Sequence, residues 1–169
     1  SSLYIEIYSD IYYDGSKTKL LPTQIASKVS TGIQEYLATS ETEKFNGKFR
    51  YSKFLGVIDR ADRSINSNDT DIMMRKDFYA QINSSSYYEV CYQNAFLEDC
   101  DAPVVSSTGM TVFEYPTYTS YLEDRNGKIV LYRLDSVTGE KILLNDSIGD
   151  VDYVKGEIRM YDFTILKGS

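Results

Sequence analysis

Alternating apolar and polar residues open the chain and predict its first element. The run Leu3–Tyr13 reads LYIEIYSDIYY, so aliphatic residues alternate with tyrosines and acidic residues. A period of two residues is typical of a β-strand with one buried face. Asp14-Gly15-Ser16 follows with residues that favour turns and is predicted to end the strand.

Two helices are predicted next, because the apolar spacing changes from two to three and four residues. The first covers Leu21–Ala38, with Pro22 near its start, where the missing N–H does no harm. Its apolar stripe consists of Ile25, Val29, Ile33 and Leu37, widened by Ala26 and Tyr36. A second, shorter helix contains Tyr51, Phe54, Leu55 and Ile58. Between the helices, residues 39–47 are predicted to form a loop, and Phe49-Arg50 to form a short strand or the helix entry.

A second strand completes the first half of the chain. Residues 61–68 are predicted to be a turn region, and residues 69–78 (DTDIMMRKDF) alternate as a strand. This order gives a β-α-α-β unit whose two strands share a sheet with the helices on one face. The predicted fold class is therefore α+β.

The second half contains strands and no predicted helix. Ser84-Ser85-Ser86 marks a boundary, so we predict two domains, residues 1–82 and 83–169. The predicted strands are 87–93, 110–115, 128–134, 141–144 and 157–166. Asn126-Gly127 is a strong hairpin signal, and Gly139 and Gly156 lie in similar turns. We expect an antiparallel meander or a small sandwich.

Composition excludes several function classes. The chain has 169 residues, a net charge of −7 and no histidine. Nucleic-acid binding requires a basic face, and the 18 basic residues are scattered among 25 acidic ones. Without histidine, Ser-His and Cys-His nucleophiles and His-based zinc sites are absent. We therefore predict no nucleic-acid or membrane partner, no cofactor, and no catalytic or metal site.

Acidic groups are the first residues to consider for hidden chemistry. Asp69 and Asp71 face the same side of a strand and could bind calcium or act as an acid–base pair. Glu98, Asp99 and Asp101 surround Cys100 and could hold a hard cation. In both cases a solvated acidic surface is the favoured interpretation, although a glycosidase needs only two carboxylates. An enzyme acting on polysaccharide is therefore a minor alternative.

Other groups have similar competing interpretations. The mixed-charge patch of Asp59, Arg60, Asp62 and Arg63 is either an interface ion-pair network or a set of local surface pairs, and local pairs are favoured. The serines at 84–86 have no base nearby and are better explained as a linker. Six tyrosines could form an interface, a sugar platform or ordinary sheet packing, and packing is favoured: Tyr87, Tyr88, Tyr92, Tyr115, Tyr118 and Tyr121. Cys91 and Cys100 could form one bridge, but two free thiols are expected.

Several segments together resemble a known family. They include residues 11–18, the helix from Thr23, residues 49–59 (FRYSKFLGVID), Ala61–Ile65 (ADRSI) and the strand from Ile72. This order is similar to the C-terminal part of the large baseplate wedge subunit of contractile-tailed phages, in the baseplate J-like group. The resemblance covers roughly residues 3–94 and returns near residues 148–156.

The resemblance implies a non-enzymatic scaffold in the virion tail baseplate, assembled in the host cytoplasm. Such subunits pair with copies of themselves and with neighbouring wedge proteins, and they build a ring around the tail hub. A homodimer or larger assembly is therefore expected. The interface candidates are the outer face of the helix at residues 23–38 and the edges of the tyrosine-rich sheet. The main alternative is a receptor- or glycan-binding β module of a tail tip.

Overall fold

The computed structural model describes residues 3–39, 51–96, 98 and 101–168, with Tyr51 described through its backbone only. These residues form two compact units. One unit comprises Tyr4–Arg75, and the other comprises Lys76–Ser169 together with Ser1–Leu3. The predicted α+β class is confirmed, because helices occur in the first unit and antiparallel strands in both.

A two-stranded sheet under two helices forms the first unit. Its elements are β1 (Leu3–Tyr13), α1 (Pro22–Ala38), α2 (Tyr51–Asp59) and β2 (Ile65–Lys76). Contacts between the strands join residue 6 to 75, 9 to 70 and 14 to 64, so β1 and β2 are antiparallel. A 3-10 turn, Gly15–Lys17, follows β1. Asp14 caps this turn by accepting a 2.9 Å hydrogen bond from the Ser16 amide.

The ends of α1 follow from its sequence. Pro22 occupies the first turn, and the Gln24 side chain accepts a hydrogen bond of 2.8 Å from the Leu21 amide. This bond satisfies an N–H that would otherwise have no partner before the first helical turn. At the other end, the Thr39 hydroxyl donates to the Tyr36 carbonyl oxygen at 2.7 Å. The predicted helix over residues 21–38 is thereby confirmed to within one residue.

The apolar stripe of α1 packs against α2 and the sheet. Ile25 and Val29 are buried, together with Phe54 and Ile58 of α2 and Ile65 of β2. The predicted stripe continues through Ile33 and Tyr36, which are half-buried against the same cluster. Burial of each large apolar side chain stabilises the unit by about 1.5–3 kcal/mol. The Tyr36 and Phe54 rings meet edge to face at 6.0 Å.

Asp62 links α1 to the segment that leads into β2. The Asp62 carboxylate is buried and accepts hydrogen bonds from Lys28 Nζ at 2.8 Å, Ser64 N at 3.0 Å and Ser64 Oγ at 2.7 Å. The hydrogen bond from Lys28, followed by those from Ser64, holds the pKa of Asp62 well below its usual range. The ionised carboxylate is therefore part of the folded structure.

A sheet of six antiparallel strands forms the second unit. The strands are β3 (Ser85–Cys91), β4 (Met110–Val112), β5 (Tyr115–Arg125), β6 (Lys128–Leu134), β7 (Lys141–Asp152) and β8 (Glu157–Gly168). From β4 to β7 they form the expected meander. The sheet then closes on itself, because β8 pairs with β7 through its first half and with β4 through its second. β3 extends the sheet along the other edge of β8.

The closed sheet encloses an apolar core. Its hairpin at Asn126-Gly127 and the close contact at Gly149 each depend on a backbone conformation or spacing that favours glycine. Its buried residues are Met110, Val112, Leu122, Ile129, Leu131, Ile148, Val151, Ile158, Met160, Phe163 and Ile165. Asn126 and Gly127 have φ of 50° and 78°, as a two-residue hairpin between paired Arg125 and Lys128 requires. A Cβ added to Gly149 would lie 2.0 Å from the Arg159 carbonyl oxygen, so only glycine permits β7 and β8 to pair here.

The structure corrects several predicted boundaries. The start of β2 at Ile65, inside the predicted turn region, was missed because the polar residues 66–69 obscured it; the Ile65 and Thr70 side chains are both buried. The strand Tyr115–Arg125 was not predicted, since Pro116 and a polar run obscured its alternation. β7 extends to Asp152, well past the predicted end at Leu144. The predictions for residues 40–50 lie outside the described residues, and the division at residue 82 stays a prediction.

The α1 packing generates a test of the helix face. Val29→Asp should destabilise the Tyr4–Arg75 unit by more than about 3 kcal/mol, because it places a charge in the buried cluster. Ile33→Asp should have a smaller effect, since Ile33 is only half-buried. Thermal unfolding monitored by circular dichroism measures the stability of both variants. Gln34→Asp, on the exposed face of α1, is the control. Equal melting temperatures for Val29→Asp and the control would show that the packing face is wrong.

The Asp62 contacts generate a test by pH. A carboxyl whose folded pKa is lowered stabilises the folded state above its unfolded pKa, about 3.9, and this contribution disappears as pH falls below that value. Asp62→Asn should therefore be less stable than the wild type at pH 7, and the difference should shrink towards pH 2. Urea unfolding at several pH values measures the difference. The exposed Asp71→Asn is the control, and a difference that stays constant with pH would exclude this role for Asp62.

Candidate functional site

The predicted acid pair on the second strand forms no converging site. Asp69 and Asp71 are exposed on β2. In the part of the chain that the structure describes, one cluster of three potential ligand residues has its ligand atoms close enough together to bind a single metal ion. It consists of Glu89, Cys91 and Glu157. Asp69 and Asp71 therefore fit the favoured interpretation of a solvated strand face.

Arg159 forms ion pairs with both acidic residues beside Cys91. Arg159 Nη2 donates to Glu157 Oε2 at 2.7 Å, and its Nε lies 3.9 Å from Glu89 Oε1. Cys91 is a free thiol whose Sγ lies 3.6 Å from Glu89 Oε1. Burial and this hydrogen bond raise the pKa of the thiol, so the unreactive protonated form is favoured. The arrangement is a surface ion-pair cluster without an activated nucleophile.

Of the predicted acidic loop, the structure describes only part. Asp99 and Cys100 lie outside the described residues, whereas Glu98 and Asp101 are both exposed. The predicted serine linker is described in full. Ser86 Oγ lies 3.3 Å from Gln81 Oε1 and 3.4 Å from the Ser84 carbonyl oxygen. An amide and a carbonyl cannot act as the base that a nucleophilic serine needs.

The mixed-charge patch is divided among separate structural contacts. Asp59 accepts a 2.7 Å hydrogen bond from Asn68 Nδ2, and Arg63 Nε donates to the Lys17 carbonyl oxygen at 3.1 Å. Asp62 is occupied by Lys28, as described above. Arg60 packs its guanidinium close to Gly56. Three of the four charged residues therefore contact residues outside the patch, two of them 34 and 46 positions away, instead of forming the local surface pairs favoured from the sequence.

The six tyrosines do not form one platform. Tyr88, Tyr92 and Tyr115 are half-buried against the core of the closed sheet. Tyr118 lies under the Arg133 guanidinium at 4.6 Å, and the Tyr121 ring stacks on Tyr132 at 5.6 Å. Sheet packing therefore accounts for half of the set, and the outward half is dispersed over β3 and β5.

A pair of exposed tyrosines lies where β3 meets β8. Tyr87 faces Tyr161 with ring centroids 5.6 Å apart and an interplanar angle of 37°. A β-bulge produces this arrangement, because Tyr161 and Asp162 together oppose the single residue Tyr87. The Tyr161 hydroxyl donates to Asp150 Oδ2 at 2.9 Å, and Lys128 Nζ donates to Asp150 Oδ1 at 2.7 Å. Tyr161 was missed from the sequence, since the bulge that turns it outward has no simple sequence signal.

An open groove lies between the two helices of the first unit. Its volume is about 660 Å³. The lining residues are Ser27, Lys28, Thr31, Gly32, Glu35, Tyr36, Thr39, Val57, Arg60 and Ala61. This groove includes part of the α1 face that the sequence suggested as an interface. A Cβ added to Gly32 would lie 3.8 Å from Val57 and 4.0 Å from Ala61, so this part of α1 packs closely against α2 and the residues after it.

The outer face of the two-stranded sheet carries tyrosines that sequence analysis used only to identify a strand. Tyr4, Tyr8 and Tyr12 are 46%, 58% and 57% exposed. Glu6 and Asp10 lie between them on the same face, since side chains alternate along a strand. The four-residue spacing of the tyrosines was the available signal, because it places all three on the side away from the helices.

The comparisons with known proteins cover part of the chain. No helix among the described residues is long and apolar enough to cross a membrane. Among curated proteins, no sequence matches the chain. Residues 1–77 match the family model described as baseplate structural protein gp6, C-terminal domain III. This match includes the whole compact unit Tyr4–Arg75, and it supports a structural role in a phage tail baseplate.

Proposed function

We propose that the chain is a wedge subunit that assembles through protein–protein contacts into a ring around the tail hub. The observation that carries this proposal is the match of residues 1–77 to a baseplate structural domain. Its partners are other copies of the chain and neighbouring wedge proteins, in the baseplate J-like group, and it assembles in the host cytoplasm. We propose no catalytic activity and no binding to nucleic acid or membranes. We also propose that the chain is divided into two domains, residues 1–82 and 83–169.

The groove between α1 and α2 supports contact between copies. Lys28 and Glu35 line it two helical turns apart on the same face of α1. In a two-fold dimer with antiparallel α1 helices, Lys28 of each copy would approach Glu35 of the other. Such an arrangement is self-complementary, as a two-fold interface must be. Asp62 already binds Lys28, so the interface would extend an existing ion pair.

The groove generates a test of self-association. Thr31→Arg should weaken association by about tenfold or more, because a long charged side chain would fill the groove. Light scattering over a range of concentrations measures the mass. Gln34→Arg adds the same charge to an exposed position of α1 outside the groove, so it is the matched control. Equal masses for both variants in an associating protein would place the interface elsewhere, and a wild type that stays monomeric at high concentration would count against self-association of this chain.

A glycan-binding β module is the second candidate, and the Tyr87–Tyr161 pair favours it. Two exposed rings form an apolar surface on which a sugar ring could lie. Asp150 and Arg159 lie beside the rings and could hydrogen-bond to hydroxyl groups. Both groups already have protein partners, so this function has weaker support than assembly.

A glycan array tests the second candidate directly. If the pair binds sugar, Tyr161→Ala should reduce saturable glycan binding at least tenfold, because it removes one of the two stacking surfaces. Tyr79→Ala is the control, since Tyr79 is fully exposed and is not a member of the pair. Binding that is equal in both variants, or an array without saturable binding, would eliminate this candidate.

A further inference from the structure

Aromatic and acidic residues alternate along the outer face of the two-stranded sheet. The sequence of this face along β1 is Tyr4, Glu6, Tyr8, Asp10 and Tyr12. The pattern contains two similar steps, each with a carboxylate between two tyrosines. All three rings are exposed, so the face is open to a partner.

The protein itself fills the first step with a guanidinium group. The Arg75 side chain lies over the Tyr4 ring, with Cζ 4.8 Å from the ring centroid, and its Nη1 forms an ion pair with Glu6. The Tyr8 hydroxyl donates a further hydrogen bond of 3.2 Å to Glu6. A planar guanidinium suits this position, because it stacks on an aromatic face while it hydrogen-bonds to a carboxylate.

The second step has the same groups, and among the described residues no cation occupies it. Tyr8, Asp10 and Tyr12 are exposed. The nearest basic residues along the two strands are already engaged, because Lys17 pairs with Asp14 at 3.7 Å and Arg63 donates to the Lys17 carbonyl oxygen. The second step therefore offers an aromatic and anionic position that no described residue fills.

β2 makes this end of the face more acidic. Ser9 and Thr70 hydrogen-bond to each other at 2.7 Å on the inner side of the sheet. Their strand neighbours point to the opposite side, which brings Asp69 and Asp71 onto the same face as Asp10. Three carboxylates thus lie near the second step, and their oxygens do not converge on one ion position.

The charge of the face determines which occupant fits it. Two copies of this face placed together would oppose carboxylates to carboxylates, which is unfavourable. A metal ion would need converging oxygens. A positively charged surface would neutralise the acids, and arginine would also stack on Tyr8 or Tyr12. The occupant that fits is an arginine-bearing surface of a different protein.

We propose that the second step, Tyr8–Asp10–Tyr12, binds an arginine side chain of a neighbouring protein, in the way that Tyr4 and Glu6 hold Arg75. This inference rests on the proposed function, because it identifies the chemistry of one assembly partner. Asp69 and Asp71 add long-range attraction for that partner, and the aromatic rings supply the preference for arginine over lysine.

Peptide binding to the whole chain tests the site. The probes are fluorescent hexa-arginine and hexa-lysine peptides, whose equal charge controls for general attraction to an acidic protein. We expect hexa-arginine to bind more tightly. The double variant Asp10→Asn with Tyr12→Ser should weaken hexa-arginine binding about tenfold and remove the preference over lysine. Tyr79→Ser is the matched control and should change neither value. Equal melting temperatures establish that the exposed substitutions leave the fold intact.

The outcomes separate the site from the proposed function. Unchanged hexa-arginine affinity in the double variant, or no preference over hexa-lysine, would overturn the site. Co-expression with neighbouring wedge proteins then tests its role. Loss of the complex in the double variant, with the complex retained in Tyr79→Ser, supports an arginine-bearing partner. A complex retained in the double variant overturns that role and leaves the proposed function standing.

If light scattering shows that the double variant loses self-association, the occupant is a second copy, which also overturns the proposal. Failure of the wild type to form any complex would count against the proposed function, while the peptide result would still decide the site.

Discussion

The alternation of side chains along β1 divides that strand between a packed side and an open side. Ile7 and Ile11 point towards the helices, whereas the tyrosines point away from them. A two-stranded sheet has little stability alone, so the first unit depends on the cover that α1 and α2 provide over one face. In the described part of the first unit, the helices cover one face only. The other face therefore carries residues that tolerate water and can also pack, which is the chemistry of tyrosine.

The second unit covers the apolar side of its sheet in a different way, because the sheet closes on itself. β8 pairs with both ends of the β4–β7 meander, so the apolar sides of all five strands face a common interior. Closure pairs part of β4 and part of β7 with β8, and so shortens the free edges that could otherwise pair with other chains. It also requires close backbone contact between β7 and β8, which Gly149 permits. In this unit β3 has pairing along one edge, to β8.

Local patterns predicted most elements, and tertiary effects account for the misses. The alternation in Leu3–Tyr13 and the four-residue spacing from Ile25 to Ile33 were strong signals, because each follows directly from the geometry of a strand or a helix. The hairpin at Asn126-Gly127 was also visible, since its backbone needs positive φ. Strand β5 was missed because Pro116 and polar residues interrupt its pattern, and its partners hold it in the sheet. Closure by β8 has no local signal at all.

Surfaces were harder to predict than elements, because they depend on which residues meet across strands. The mixed-charge patch looked like one group, yet its members contact Asn68, Lys28 and Lys17 separately. Conversely, the acids near Tyr8 come from two strands separated by more than 50 residues, and only sheet pairing brings them together. Each compact unit thus presents a surface with its own chemistry. The first has a groove between helices and an acidic aromatic face, whereas the second has a tyrosine pair beside its ion pairs. A protein with several unlike surfaces can contact different neighbours at the same time, which the proposed assembly with neighbouring proteins would require.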